Sequence, residues 1–357
     1  SGDIEHRTYS DNKQRLALHG KLDYSLSPQH KFTWYNGFLT MVDDQVRTGV
    51  TDQTSDIRLK HNRQQIYNTT LSGTHDFPSC HMQVDWKGVY SNARNKTPDN
   101  TEIFLQGSHI QTNKAATRRW EHNTDKDKAA YLNLTYHPTD NWTVKTGGMY
   151  RDKVRTSFFN EYTFDSSTGT EQYQVYGTDW NNFDEILLTP RAYGNVGDPL
   201  NYDATEKIGG VYGMATYQKG KMEVVGGIRA EHTNQGYVLK YPRSTQGEGN
   251  QKYWDCLPDL HLKYHLTEKM NLHLSYARAI NRPSFFEIVP YSIINEEYKE
   301  KGNPDLKHTV ADNLDLRWEF FPQAAEQLMV GFFYKHLQNP IEYGLISEGQ
   351  DLYYTPM

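Results

Sequence analysis

The sequence predicts an all-β protein, an antiparallel transmembrane β-barrel. Three observations lead there: apolar residues recur with period two, connections alternate between short and long, and aromatic residues are abundant. The chain has 357 residues, of which 36% are hydrophobic, with 26 Tyr, 14 Phe and 7 Trp. No stretch approaches the roughly 20 apolar residues that a membrane helix needs. Barrel strands hide their apolar residues in alternation, and girdles at both membrane interfaces account for the aromatic excess. A Tyr-rich soluble sandwich or propeller shares this composition, so the choice rests on pattern.

Successive side chains of a strand point to opposite faces, so each strand is recognised by its parity. Leu16, Leu18, Leu22, Tyr24 and Leu26 share one face against Ala17, His19, Lys21, Asp23 and Ser25. From His30, Phe32, Trp34 and Phe38 share one parity. Next come Cys80, Met82, Val84, Trp86, Gly88 and Tyr90, against His81, Gln83, Asp85 and Lys87. Ala130, Leu132, Leu134 and Tyr136 alternate with Tyr131, Asn133 and Thr135. Trp142, Val144, Thr146, Gly148 and Tyr150 oppose Thr143, Lys145 and Gly147. Met222, Val224, Gly226, Ile228 and Ala230 oppose Glu223, Gly227, Arg229 and Glu231. Leu260, Leu262, Tyr264 and Leu266 oppose His261, Lys263 and His265. Leu314, Leu316, Trp318 and Phe320 oppose Asn313, Asp315, Arg317 and Glu319. Leu328, Val330, Phe332 and Tyr334 complete the series, which amounts to about twelve strands with another beginning after Tyr353.

Short connections are expected at 27–30, 77–79, 137–141, 218–221, 267–270 and 321–327. Long ones are expected at 43–62, 91–126, 152–205, 232–252 and 279–307. Strict alternation is the plan of an outer-membrane barrel, with short periplasmic turns and long extracellular loops. A soluble meander has no reason to place every long loop at one end. In a barrel the apolar parity faces lipid and the polar parity lines the lumen; in a sandwich the apolar parity packs on a second sheet.

Other classes find little support. The net charge is −6, from 38 basic and 44 acidic residues, and no like-charge run marks a nucleic-acid partner. Cys80 and Cys256 match neither a metal spacing nor a redox motif, and their separation in the fold argues against a disulfide. No nucleophile–base arrangement or phosphate loop marks an enzyme, and nothing implies a cofactor. The first 20 residues lack the apolar core of a secretion signal, so the chain is expected to be processed or a fragment.

The stretch 272–342 carries a resemblance. It reads LHLSYARAINRPSFFEIVP, then KGNPDLKHTVADNLDLRWEFFP, then LMVGFFYKHLQNPIE. Ser275, Tyr276, Ala277 and Arg278, then Arg282, Pro283 and Ser284, then Gly302, Asn303, Pro304, Leu306 and Lys307 stand in order. This resembles the barrel of TonB-dependent outer-membrane receptors, especially the Bacteroidetes type. Upstream, GKMEVVGGIRAEHT (220–233) looks like the family's Gly-Gly-x-Arg-x-Glu strand. Departures are His308-Thr309 in place of Pro-Glu, and Asp312-Asn313 where Glu is frequent. The resemblance implies a 22-stranded barrel, so this chain is expected to be an internal fragment, residues 1–357 forming part of the wall without the plug domain. It implies active import of a bulky nutrient such as a siderophore, haem, cobalamin or glycan; the alternatives are a passive porin or adhesin barrel, or a soluble β-rich carbohydrate-binding protein. It also implies three partners: outer-membrane lipid, TonB acting through the parent's N-terminal region, and a surface lipoprotein. An open curved sheet, or closure by another chain, is then expected, because a partial wall leaves two unpaired edges.

Candidate lumenal or substrate-contacting residues are His261, His265, His273, Arg278, Asn281, Arg282, Trp120 and Trp180. Tyr173 and Tyr176 join them in the longest expected loop, where capture residues concentrate. Matching parities across a three-residue loop, Glu268 to Met270, would set His265 opposite His273 and His261 opposite Ala277. Two lumenal histidines there could bind metal or haem, although solvated lumenal residues are the simpler reading. Pro283, Pro290, Pro304 and Gly302 more simply shape the loop 279–307.

Overall fold

The computed structural model describes residues 4–106, 109–111, 113–166, 188–190, 200–241, 247–294, 299–323, 325–349 and 351–357. In chain order the strands are β1 (His6–Ser27), β2 (His30–Val50), β3 (Thr54–Phe77), β4 (Met82–Gln106), β5 (His109–Ile110) and β6 (Ala116–Thr139). They continue with β7 (Trp142–Ser166), β8 (Leu188–Pro190), β9 (Tyr202–Lys219), β10 (Met222–Leu239), β11 (Glu248–Thr267) and β12 (Met270–Asn281). A short helix α1 (Phe285–Ile288) leads to β13 (Ser292–Ile294), β14 (Lys299–Lys301), β15 (Thr309–Phe320), β16 (Leu328–Gln338), β17 (Tyr343–Glu348) and β18 (Asp351–Pro356).

Twelve of these strands form one antiparallel path, β1-β2-β3-β4-β6-β7-β9-β10-β11-β12-β15-β16, with β5 attached to β4 and β8 to β7. The path is open: among the described residues β1 pairs only with β2, and β16 only with β15. The segment after Tyr353 does not begin a further wall strand. It belongs to β18, in a separate four-stranded sheet of order β13-β14-β18-β17. Only two residue pairs join β14 to β18, and that pairing is parallel.

Short turns close every lower hairpin as expected. Gly220, with φ +59, takes the left-handed position of the turn between β9 and β10, a conformation that favours glycine. Ser27 Oγ accepts from Gln29 N at 3.1 Å, and Thr267 Oγ1 accepts from Lys269 N at 3.2 Å, so side chains satisfy backbone donors in two other turns.

Among the described residues, several of the expected long loops prove to be largely strand. Segment 43–62 is strand except for the turn at 51–53, and 91–126 is mostly β4 and β6. The segments 152–205 and 232–252 likewise begin and end as strand. Strands β1 to β4, β6 and β7 run 21 to 25 residues, whereas a bilayer needs about 9–11. The upper halves therefore rise some 40 Å along the strand direction beyond the lipid. There no lipid selects one face, so period two fades from the sequence while the backbone ladder continues.

Register places Leu16, Leu18 and Leu22 on one face with Trp34, Phe38, Leu71, Trp86, Leu132, Val144, Val224, Leu262, Leu274, Leu316 and Phe332. Many remain exposed, including Leu132 at 58% and Phe332 at 72%, as a lipid-facing band requires. Trp142 and Tyr217 are stacked obliquely at 4.8 Å near the lower turns. Replacing Leu132, Val224 or Leu316 with Lys should cost about 2–4 kcal/mol each at mid-membrane. The expected outcome is loss of the protein from the membrane fraction, with Asn133→Lys on the opposite parity assembling normally.

Candidate functional site

The polar parity becomes a built site at the upper ends of β7, β9 and β10. In β9 burial alternates sharply: Tyr202 is 2% exposed and Ile208 3%, while Val211 on the opposite parity is 62% exposed. What covers the polar face is the segment between β12 and β15. Phe285, Ile288, Val289, Tyr291 and Leu306 pack on Phe159, Tyr202, Ala204, Tyr237 and Leu239. The described parts of the connection expected as an extracellular loop at 279–307, residues 282–294 and 299–307, thus fold inward over the lumenal side of the wall.

Each motif residue of this segment has a physical role. Arg282 donates to Glu231, and its Nε donates to Thr233 Oγ1 at 3.0 Å. Arg229 holds the same carboxylate. Gln235, 1% exposed, donates to the Pro283 carbonyl at 2.8 Å. Ser284 caps α1, accepting from Glu287 N, while the Glu287 side chain accepts from Ser284 N, a reciprocal capping box. At Gly302 an added Cβ would lie 1.9 Å from the Val289 carbonyl oxygen, so no side chain fits. Asn303 N donates to the Glu287 carbonyl at 2.7 Å, and Asn303 Nδ2 donates to the Pro356 carbonyl at 3.0 Å. One residue therefore ties the segment both to α1 and to β18. Gln251 Nε2 donates to the Leu306 carbonyl at 2.6 Å. His308, a departure from the family pattern, stacks on Tyr253 at 3.9 Å and bonds Asp255 at 2.9 Å.

Below the segment lies a ladder of ion pairs on the polar parity. Arg155 meets Asp125 through two bonds of 2.6 and 2.7 Å, with Lys153 at 3.6 Å. Arg151 is forked onto Asp127 and approaches Glu206 at 3.8 Å. Lys153 and Arg155 also lie over the Phe285 ring at 5.4 and 5.6 Å, which links the ladder to the folded segment. Burial opposes the charge on Asp125, but bonding to Arg155 and Lys153 outweighs it and holds the carboxyl below its usual pKa. Burial and the neighbouring Glu300 carboxylate push the Tyr291 hydroxyl upward, and that hydroxyl donates to Glu300 at 2.6 Å.

The sequence candidates scatter. His261, His265 and His273 keep the polar parity, but the β11–β12 register differs by two residues from the expected one. The turn has two residues, Glu268 and Lys269, and a bulge lies between His265 and Thr267, so that His265 lies opposite Asn271, His273 opposite Lys263 and His261 opposite Ser275. The paired-histidine reading is corrected accordingly. His265 bonds Asn271 at 2.7 Å, and His273 bonds Glu319 at 2.9 Å. No cluster of three or more metal-ligating side chains occurs among the described residues. Arg278 is also corrected: it shares the lipid-facing parity of Leu274 and Tyr276 and forks onto Asp312 at 2.8 and 3.0 Å. Tyr276 donates to the same carboxylate at 2.7 Å. Asn281 ends β12 on the polar parity, opposite Thr309. Trp120 lies within β6 on the outward parity, beside Arg118 at 5.3 Å and Tyr162 at 5.8 Å. Trp180, Tyr173 and Tyr176 lie outside the described residues. Cys80 and Cys256 are free thiols. The Asp125, Asp127 and Glu206 ladder was missed because its residues stand in segments too polar to show a period.

Replacing Arg282 with Ala should loosen segment 282–308 by about 1.5–3 kcal/mol, and Ser284→Ala by about 1 kcal/mol. Gly302→Ala should release it more fully. Limited proteolysis within 285–308 reads all three. Because Asp125 titrates below its unfolded value of about 4, its contribution is complete above that pH and is lost as pH falls through the lower folded value. Proteolysis at pH 5 should match that at pH 7 and accelerate only in stronger acid.

A comparison with curated proteins finds no match. Among solved structures, the copper transporter OprC aligns with TM-score 0.56 at 12% identity, over 99% of this chain and 55% of that one. The ferric yersiniabactin uptake receptor FyuA from Yersinia pestis gives 0.51 at 12%, over 99% and 55%. The ferric citrate transporter FecA, unliganded, gives 0.51 at 11%, over 94% and 51%. These likenesses show the fold, and the chain spans about half the length of the structures it matches. The family model of outer membrane β-barrel proteins matches residues 90–356, about three quarters of the chain. The chain therefore belongs to the outer membrane protein beta-barrel family, and its twelve-strand wall is a structure of the outer membrane.

Proposed function

We propose that this chain is part of the barrel wall of an outer-membrane active transporter that imports a bulky nutrient. The observation that carries the reading is the inward-folded segment, residues 282–294 and 299–308, which covers the polar face at its upper end and is fastened there by Arg282, Gln235 and Gly302. The solved structures of similar fold include transporters and receptors for ferric citrate, ferric yersiniabactin and copper, which supports the transport reading without naming this chain's cargo. Siderophore, haem, cobalamin and glycan are the cargo classes considered. Energy would come from TonB acting on a part of the parent protein other than this wall, and a surface lipoprotein would assist capture. In this reading residues 1–357 are a wall segment, and the unpaired edges of β1 and β16 pair with further strands.

Deletion of the gene followed by growth on single sources of each cargo class tests the proposal. One nutrient should cease to support growth at low concentration, and its uptake should stop when the proton gradient is dissipated. Uptake that persists without the gradient would mark a passive pore instead.

A further inference from the structure

The outward parity of β3, β4 and β6 carries an unneutralised basic patch at one height. On β4 the outward residues rise from Met82 through Val84, Trp86, Gly88 and Tyr90, then become Asn92, Arg94 and Lys96. On β3 they pass from Leu71 and Tyr67 to Gln65 and Arg63, and on β6 from Leu132 and Ala130 to Lys128 and Lys126. The step from Met82 to Tyr90 is nine residues, the length that crosses a bilayer. Tyr67, Tyr90 and Tyr150 thus stand at the upper lipid boundary, and the cations begin just above it.

These cations are neighbours. Register pairs Arg63 with Lys96, and Lys96 with His122, while Lys128 lies opposite Tyr90. Directly opposed side chains are about 5 Å apart at Cβ and diagonal ones about 7–8 Å, so Arg94 also lies beside Lys126. Arg63, Arg94, Lys96, Lys126 and Lys128 are exposed. None forms an ion pair among the described residues. The acidic groups nearby are committed elsewhere or outnumbered: Asp44 bonds His61, Asp99 holds Arg118 at 2.7 Å, and Asp152 lies opposite both Lys128 and Lys207. Partial burial, followed by the positive field of Lys96 and Arg94, holds His122 below its ordinary pKa. Like charges set opposite one another destabilise a sheet. On the lumenal parity β3 and β4 have their charges neutralised, as at Asp56 and Glu102, which share Arg47 of β2. An anion that approaches from the lipid side, at headgroup height, complements this arrangement.

We infer that Arg63, Arg94, Lys96, Lys126 and Lys128 form a binding surface for the phosphate groups of outer-leaflet lipid. The acyl chains would lie along Leu71, Trp86 and Leu132 below, so one molecule meets both the apolar band and the cations. Charge-assisted bonds from several cations to one phosphate would fix the lipid at this side of the wall rather than leave it to exchange freely.

The test uses purified full-length protein in detergent, with lipid retention read by native mass spectrometry. Bis-phosphorylated lipid A is the probe, with its dephosphorylated form and 10 mM inorganic phosphate as comparison arms. The combined variant Arg63→Gln, Arg94→Gln, Lys126→Gln and Lys128→Gln should retain lipid A at least tenfold more weakly. Lys21→Gln with Lys145→Gln, on the lumenal parity, should stay within twofold of the unaltered protein. The single variants Lys126→Gln and Arg94→Gln, each expected to lose twofold or more, keep the test valid if the combined variant does not assemble. Retention by the basic-patch variants equal to that of the unaltered protein would overturn the inference. So would equal retention of the dephosphorylated lipid, or displacement by inorganic phosphate at 10 mM.

Discussion

Backbone hydrogen bonding between neighbouring strands decides where every side chain of this wall points. A pleated strand has only two faces, and pairing a strand with its neighbour commits all its residues to one or the other. Here Leu18 pairs with Phe38, Leu71 with Gly88, Leu132 with Gly148 and Leu274 with Leu316. A slip of one residue in any ladder would put Lys and Asp into lipid along a whole strand. The ladder continues above the membrane, where the solvent no longer enforces parity. What enforces it there is chemistry between strands: Arg151 on Asp127, Arg155 on Asp125 and Arg278 on Asp312 all join residues on one face of neighbouring strands.

The inward segment 282–308 exploits the same commitment. Because the polar parity of β9 and β10 places Tyr202, Ala204, Thr233, Gln235 and Tyr237 on one side, a connection that leaves β12 finds a mixed surface, with apolar patches for Phe285 and Ile288 and an acceptor for Arg282. Arg282 turns the chain inward, the capping box starts α1, and Gly302 lets the returning chain lie against Val289. The second sheet, β13-β14-β18-β17, extends from this point and is joined to it through Asn303. Wall and segment thus act as one surface on the lumenal side, while the lipid side remains a separate surface with its own charge pattern.

The sequence reveals the wall most clearly where two solvents differ. Leu132, Leu134 and Tyr136, or Leu260, Leu262 and Tyr264, show their parity because lipid lies on one side and water on the other. Arg94 and Lys96, or Asp125 and Asp127, belong to the same strands above the lipid band, where no hydrocarbon selects a face, so the pattern fades and the strands look like loops. Turn length is the second blind point. The turn at Glu268 and Lys269 is one residue shorter than expected, and a bulge between His265 and Thr267 restores the parity, so alternation could not distinguish His265 opposite His273 from His265 opposite Asn271. Arg278 misled for a related reason: its charge suggested the lumen, yet it continues the outward series of Leu274 and Tyr276 just where Asp312 is available. The motif residues Arg282, Ser284 and Gly302 were visible as a pattern, but their purpose depends on β10 and Val289, which are distant in sequence or revealed only by the fold.

The central claim is that one register divides the wall into a lipid face and a water face. Single cysteines placed in turn at residues 130–136 and 222–230, after Cys80 and Cys256 are replaced with Ser, test it directly. Each is labelled in assembled membranes with a water-soluble, membrane-impermeant thiol reagent. The account predicts that labelling alternates, strong at Tyr131, Asn133, Glu223 and Arg229 and weak at Leu132, Leu134, Val224 and Ile228. Uniform labelling along either strand, or the opposite alternation, would contradict it.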